Sequence, residues 1–352
     1  MVSRARATLA AIGIATPEAV DQDELWEGFF AGRGANDRLA RAAFSGAGVR
    51  TRHAAFDPRR CDVSEWSTER RMARYVDAAL PLATVAAARA LEECAPAEAI
   101  GLLVVASCTG HATPGLDVLL ANELGLDGDT RRLVIGYLGC HAALPALATA
   151  DDYVAATGRP ALVVCVELSS LHLQPAEASE QEAVNALFGD AAAAALLVPA
   201  PCPDALFILG HKVASDLGAA ELMTWRVGSH GLRMGLSRKV PARVGALSGP
   251  LVDELLGEHG FARTDVAAWA VHPGGPRVLA EVAAALGLSQ TSLASSAGVL
   301  ASYGNCSSAT VLIILDAIAQ GRLAPGAPVV MLAFGPGLTG YATLLRTAHA
   351  PG

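Results

Sequence analysis

A layered α/β fold built from two similar halves is what this sequence predicts. Three observations carry the expectation. Apolar runs of strand length alternate with Ala-rich helical stretches along the chain. The order of turns and strands in the first half returns in the second. And a chain of 352 residues, 52% hydrophobic and 17% charged, has ample apolar surface to bury in a core, an interface or both.

Taken in order, the N-terminus reads as a first strand at 7–14 and not as a signal peptide, because no apolar stretch ends in a cleavage site. Further strands are expected at 100–106, 133–137, 161–166 and 192–198, and helices at 75–93, 115–124, 142–156 and 180–186. Pro199-Ala-Pro-Cys-Pro203 marks a link between halves at 1–200 and 201–352. A strand at 267–271 then runs into His272-Pro-Gly-Gly, as the strand at 102–106 runs into Ser107-Cys-Thr-Gly. The Gly-rich turns Gly139-Cys140-His141-Ala142 and Gly304-Asn305-Cys306-Ser307 each open a small-residue helix. Apolar strands at 161–166 and 328–333 close the two halves. Packed face to face, such halves would gather Cys140, His272 and Asn305 at a shared centre.

Composition excludes several classes. A net charge of -8 offers nucleic acid no electrostatic footing. No apolar run reaches the roughly 18 residues of a membrane helix. Seven cysteines without CxxC pairs point to reduced thiols and a cytoplasmic protein, and no Cys/His cluster has metal-ligand spacing, so no metal is expected.

Cys140 falls in the first turn of a predicted helix, where the partial positive charge of the N-terminus lowers a thiol pKa and favours the nucleophilic thiolate. The plain alternative is a small buried cysteine. His272 ends a strand inside a turn opened by Pro273 and two glycines, where it could share a proton with a thiolate, polarise a carbonyl, or simply be hydrogen-bonded. Asn305 is either a helix cap or an amide donor beside the histidine.

Together Gly139-Cys140, Val271-His272-Pro-Gly-Gly and Tyr303-Gly-Asn305-Cys-Ser-Ser resemble the Cys–His–Asn triad of the chalcone-synthase-like type III polyketide synthases of bacterial type. The segments Val166–His172, Leu187-Phe188-Gly-Asp190, Thr224–Gly231 with Met234, and Phe334-Gly-Pro-Gly337 agree, so the resemblance runs from about Ala7 to Leu345. It implies a thiolase fold, with duplicated βα halves forming a five-layered αβαβα core in a homodimer. It implies acyltransferase chemistry: an acyl-CoA starter loaded on Cys140, then iterative decarboxylative condensation of malonyl-CoA and cyclisation. Coenzyme A thioesters would be substrates, with no permanently bound cofactor. Phe188 matches the gatekeeper between tunnel and cavity, and Met234 the second gate position. Cys108, Thr113, His172 and Ser307 fall on cavity positions, Thr113 where the family reaches across the dimer. Gly274 and Gly275 are expected against the pantetheine arm. Arg38, Arg41, Arg50 and Arg52 are candidates for the coenzyme A phosphates, or are exposed solubilising charge.

Three residues depart from the family pattern: His141 after the nucleophile, Ala191 after Phe-Gly-Asp, and Cys306 after the triad asparagine. They bear on the product more than on the activity. A long acyl starter giving an alkylpyrone or alkylresorcinol suits Met234, whereas a short starter or malonyl-CoA alone suits Cys108. The competing enzyme class is a ketoacyl-synthase-III-like condensation or acyl transfer on a carrier protein, which a basic docking patch would favour. A degradative thiolase would need a second cysteine near Gly335-Pro-Gly-Leu, and none is there. A non-catalytic interaction protein is the remaining class, and the intact triad argues against it.

Overall fold

Strands and Ala-rich helices alternate as the sequence predicts. The computed structural model describes residues 6–33, 36–92, 95–174, 179–199, 205–321 and 323–348. The first half supplies β1 (Thr8–Ala15), β2 (Ala19–Asp21), β3 (Thr51–His53), β4 (Leu102–Ala106), β5 (Arg131–Ile135), β6 (Ala161–Leu168) and β7 (Asp190–Val198). From the second come β8 (Leu206–Ser215), β9 (Met223–Gly228), β10 (Gly231–Leu236), β11 (Ala268–Val271), β12 (Pro328–Gly335) and β13 (Thr339–Thr347). The helices are α1 (Gln22–Leu25), α2 (Asp37–Gly46), α3 (Thr68–Leu91), α4 (Leu116–Glu123), α5 (Ala143–Thr157) and α6 (Ser179–Leu187), followed by α7 (Val240–Glu258), α8 (Pro276–Leu286), α9 (Ala294–Tyr303) and α10 (Thr310–Ala319).

Nine strands join in the order β11-β12-β13-β8-β1-β7-β6-β4-β5. The run β1-β7-β6-β4 and the run β8-β13-β12-β11 follow one pattern, two antiparallel pairs and then a parallel pair. The copies meet where β1 lies antiparallel beside β8. The duplication expected from matching turns is therefore present in the strand order.

Helices separate the two halves and cover their outer faces. α3 packs on β1, β6 and β7; α7 packs on β8 and β13 and carries α8 against it. Between them lie α5, which touches β4, β6, β7 and β13, and α10, which touches β1, β7, β11 and β12. The result is the five-layered α/β arrangement of a thiolase fold. Because both faces of the inner strands are covered, every residue of β6 and β7 is buried, and apart from Glu167 and Asp190 they read as apolar runs.

Boundaries differ from the sequence reading by a few residues at most ends. The helix expected from Tyr75 starts at Thr68, where the Ser67 hydroxyl accepts the Arg70 N–H; its expected last residue, Glu93, lies outside the described residues. The proline-rich link, apart from Pro199, lies outside them too. Among the described residues no helix is long and apolar enough to cross a membrane.

Candidate active site

Cys140 and His272 sit where a strand gives way to a helix through a glycine turn, and Asn305 sits in the glycine turn between α9 and α10. Cys140 occupies the 3₁₀ turn Gly139–His141 between β5 and α5. Gly139 has φ +70°, and a Cβ there would stand 2.7 Å from Pro336. Only glycine lets the nucleophile turn pass beneath the loop after β12. His272 follows β11, its backbone N–H donating to the Leu332 carbonyl at 2.8 Å. Asn305 precedes the 3₁₀ turn that opens α10, after Gly304 at φ +71°. The three side chains are buried and line one cavity of about 500 Å³.

The sulfur of Cys140 lies 3.9 Å from Asn305 Oδ1 and 4.0 Å from Nδ2. Ser307, a non-glycine residue at φ +48°, donates its backbone N–H to Asn305 Oδ1 at 2.8 Å. That bond fixes which way the amide faces and leaves Nδ2–H available to a ligand oxygen. Both ring nitrogens of His272 lack a partner among the described residues. A buried imidazole without a partner is costly unless a ligand supplies one.

Electrostatics correct the expected thiolate. Burial pushes the Cys140 thiol up to about 12, the negative Glu167 adds to the rise, and hydrogen bonds from Ser307 and Asn305 oppose it. Burial, with His141 close by, lowers His272 to about 3. Desolvation outweighs the helix N-terminus here and favours a thiol and a neutral imidazole. His141 is itself lowered to about 4 by burial and packs against Gly335, where a Cβ would overlap its Nδ1.

A network not singled out in the sequence ties the site together. The Glu167 carboxylate accepts the Cys108 N–H at 3.0 Å, the Thr109 hydroxyl at 2.9 Å and the Ser308 hydroxyl at 2.6 Å. It thereby joins β6, the loop after β4 and the Asn305 turn. Ser308 neighbours Ser307, so the same carboxylate steadies the residue that orients Asn305.

The predicted cavity residues separate into two groups. Phe188 and Met234 line the cavity with the triad, as do Gly274 and Gly275. Cys108, Thr113, His172 and Ser307 lie outside its lining. Cys108 is turned toward the nucleophile turn, its sulfur accepting the Gly139 N–H at 3.1 Å. Thr113 is exposed on the loop before α4. His172 is held on both ring nitrogens, by the Thr109 carbonyl at 2.7 Å and the Leu232 N–H at 3.1 Å, so it braces the β9–β10 hairpin. Ser307 acts behind Asn305.

The arginine candidates need a larger correction. Arg52 is 2% exposed, and its guanidinium donates to the carbonyls of Asn185, Ala186 and Phe188 and to Gln22. It caps the end of α6 beneath Phe188 and is not among the residues that line the cavity. Arg41 pairs with Asp23 at 3.0 Å, and Arg38 and Arg50 are exposed away from the cavity lining. The wall of α2 that faces the cavity is instead apolar, with Leu39, Ala42 and Ala43. The basic residues at the cavity rim are Arg238, before α7, and Arg277, in the first turn of α8. Arg277 stands in the sequence within Gly-Gly-Pro-Arg, two residues past the glycines that drew attention.

Comparison with known proteins gives the lineage of this arrangement. Residues 1–201 match the chalcone and stilbene synthase N-terminal domain, and residues 217–349 the C-terminal domain of the same family. A 1,3,6,8-tetrahydroxynaphthalene synthase of Streptomyces peucetius is 36% identical over 89% of this chain and 85% of its own. An alpha-pyrone synthesis polyketide synthase-like protein of Mycobacterium tuberculosis is 34% identical over 87% of this chain and 81% of its own. The crystal structure of the Streptomyces coelicolor tetrahydroxynaphthalene synthase superposes with a TM-score of 0.91 at 29% identity, covering 97% of this chain and 100% of that one. With two family domains matched in sequence order and relatives above one-third identity spanning most of it, the chain belongs to the chalcone and stilbene synthase family, the type III polyketide synthases.

Proposed function

We propose that Cys140, His272 and Asn305 perform the decarboxylative condensations of this polyketide synthase, and that a long acyl-CoA is its starter. The carrying observation is one buried cavity that holds a thiol, an imidazole with both nitrogens unpartnered and an oriented amide donor. In the loading step Cys140 Sγ attacks the starter thioester carbonyl. Its proton passes to His272 and leaves with the thiol of coenzyme A. Thiol and imidazole are neutral beforehand, so this transfer is coupled to substrate arrival, which brings a developing oxyanion against Asn305 Nδ2. Malonyl-CoA then loses carbon dioxide. Its enolate oxygen takes hydrogen bonds from the same donors, and its carbanion attacks the Cys140 thioester and expels the thiolate. Return of the lengthened chain to Cys140 allows another round, and cyclisation ends the cycle.

Support for a long starter comes from the cavity wall, where Leu39, Ala42, Met223, Met234, Val240 and Val244 present apolar surface. The relative named for alpha-pyrone synthesis fits the pyrone product of this reading. A malonyl-only starter is the second reading, favoured by the tetrahydroxynaphthalene synthase at 36% identity. Arg238 and Arg277 at the rim suit the phosphates of coenzyme A.

A homodimer is part of the proposal. β5 ends the sheet, pairs on one side with β4, and leaves Leu133 and Val134 exposed beside Tyr137, which is 81% exposed. An open apolar edge strand is a ready surface for a second copy.

The deciding experiment incubates the protein with labelled malonyl-CoA and acyl-CoA starters of graded length, beside Cys140→Ala, and identifies products by mass. Pyrones or resorcinols that appear with long starters and vanish in the variant are expected. A tetrahydroxynaphthalene made from malonyl-CoA alone would move the second reading ahead. Acyl exchange without chain extension would overturn both.

A further inference from the structure

Glu182 lies on α6, six residues before the gatekeeper Phe188, and lines the same cavity as the triad. It is 4% exposed. Its neighbours in the wall include Leu39, Ala42 and Ala43 of α2 and Ala183 and Leu187 of its own helix. Among the described residues no N–H, O–H or cation reaches its carboxyl group. Asp37, at the start of α2, is the charge that acts on it, and that charge has the same sign. Burial, and then Asp37, raises its pKa. Its carboxyl oxygens are not sealed off but open onto the cavity, and a leucine there would offer a ligand no acceptor. Its carboxyl therefore fits a ligand that brings a donor to it.

We propose that Glu182 receives an amide N–H of the pantetheine arm as a coenzyme A thioester threads the cavity toward Cys140. The assignment rests on reading the cavity as a thioester site, and it names the part of the substrate recognised there. Position along the path supports the arm. Six residues of α6 span about 9 Å at 1.5 Å per residue, which sets Glu182 back from the gate by roughly an arm's reach. Chemistry supports it too. The phosphates and the malonyl carboxylate are anions that Glu182 and Asp37 repel, and an alkyl starter carries no donor. The arm alone brings neutral N–H groups into the middle of the passage. The same repulsion turns the phosphates toward Arg238 and Arg277 and so orients the thioester end inward.

Titration calorimetry on the intact protein tests this, with coenzyme A and with adenosine 3′,5′-bisphosphate, its nucleotide end. In Glu182→Leu, coenzyme A affinity should fall about tenfold while bisphosphate affinity stays unchanged. Glu182→Ala should show the same split, and Glu182→Gln, which keeps a carbonyl acceptor, should stay within about threefold of wild type. KM for malonyl-CoA and for the acyl-CoA starter should rise together with little change in kcat. Equal coenzyme A affinity in wild type and in both truncated variants would overturn the assignment alone. A rise confined to the starter KM would also overturn it, since the donor would then belong to the acyl group. A wild type that binds no coenzyme A would remove the thioester reading itself.

Discussion

At Cys140 two familiar influences on a thiol compete, and the geometry says which prevails. The helix N-terminus and the hydrogen bonds from Ser307 and Asn305 stabilise a thiolate; complete burial and the nearby Glu167 disfavour it and push the group to about 12. A thiol raised above its free value of about 8.5 ionises later as pH rises. Alkylation of the free enzyme by iodoacetamide, scored by peptide mass, should therefore still be accelerating above pH 9. A plateau below pH 8 would mean that a thiolate–imidazolium pair already exists before substrate binds. What the sequence shows at this scale follows from where chemistry-bearing residues stand. Cys140 and His272 each interrupt a glycine turn after an apolar strand, and Asn305 a glycine turn between two helices, so they stand out. Glu182 sits in Ser179-Glu-Gln-Glu-Ala, an ordinary polar helix face on paper. Its burial depends on α2, which arrives from well over a hundred residues upstream.

Among the elements, α6 sets the position of Phe188, the proposed gate, and the control is exerted from its C-terminal end. A helix leaves its last carbonyls unsatisfied. Here Arg52, the middle residue of the short β3 strand, supplies donors to Asn185, Ala186 and Phe188, while the backbone of Asn305 accepts from Gly189 at 3.0 Å and donates to Leu187 at 2.8 Å. The segment around Phe188 and the Asn305 turn are thus joined by main-chain bonds, and the guanidinium holds the joint. Arg52→Met keeps much of the length and loses every donor, leaving three buried carbonyls short of partners. A loss of about 2 kcal/mol or more is expected in urea unfolding, together with a fall in kcat/KM as Phe188 shifts. Unchanged stability would mean that water replaces the guanidinium. This role is invisible in sequence, where Arg52 looks like its exposed neighbour Arg50. β8 and β13 are equally hard to see: β8 alternates buried and half-buried residues only as far as His211 and then turns polar at Lys212, and β13 opens on Thr339-Gly-Tyr. The buried strands β6 and β7 show themselves because burial on both faces writes an apolar run.

For the whole molecule, the consequence of the sheet order is that its two ends differ. β11 begins it, and β5 closes it as a strand whose residues are exposed from Arg131 to Val134. An isologous antiparallel pairing of β5 with a second copy, centred on Leu133, would oppose Arg131 to Ile135 and Arg132 to Val134, so no two arginines would face each other. Such an edge would continue the sheet through the dimer. β5 also leads within five residues to Cys140, through Tyr137 at φ +67° and Leu138. Pairing there would hold the nucleophile turn from behind, whereas a lone chain would leave Tyr137 and Leu138 in water. Val134→Lys places a charge on a side chain that is 53% exposed in the single chain, so it should not disturb the folded monomer. In the dimer it would bury that charge against a partner. Sedimentation should show a dimer for wild type and a monomer for the variant, with far-ultraviolet circular dichroism unchanged and kcat lowered severalfold because the turn has lost its backing. A variant that stays dimeric would place the interface elsewhere. A monomer with full kcat would show that the nucleophile turn needs no support from the second copy.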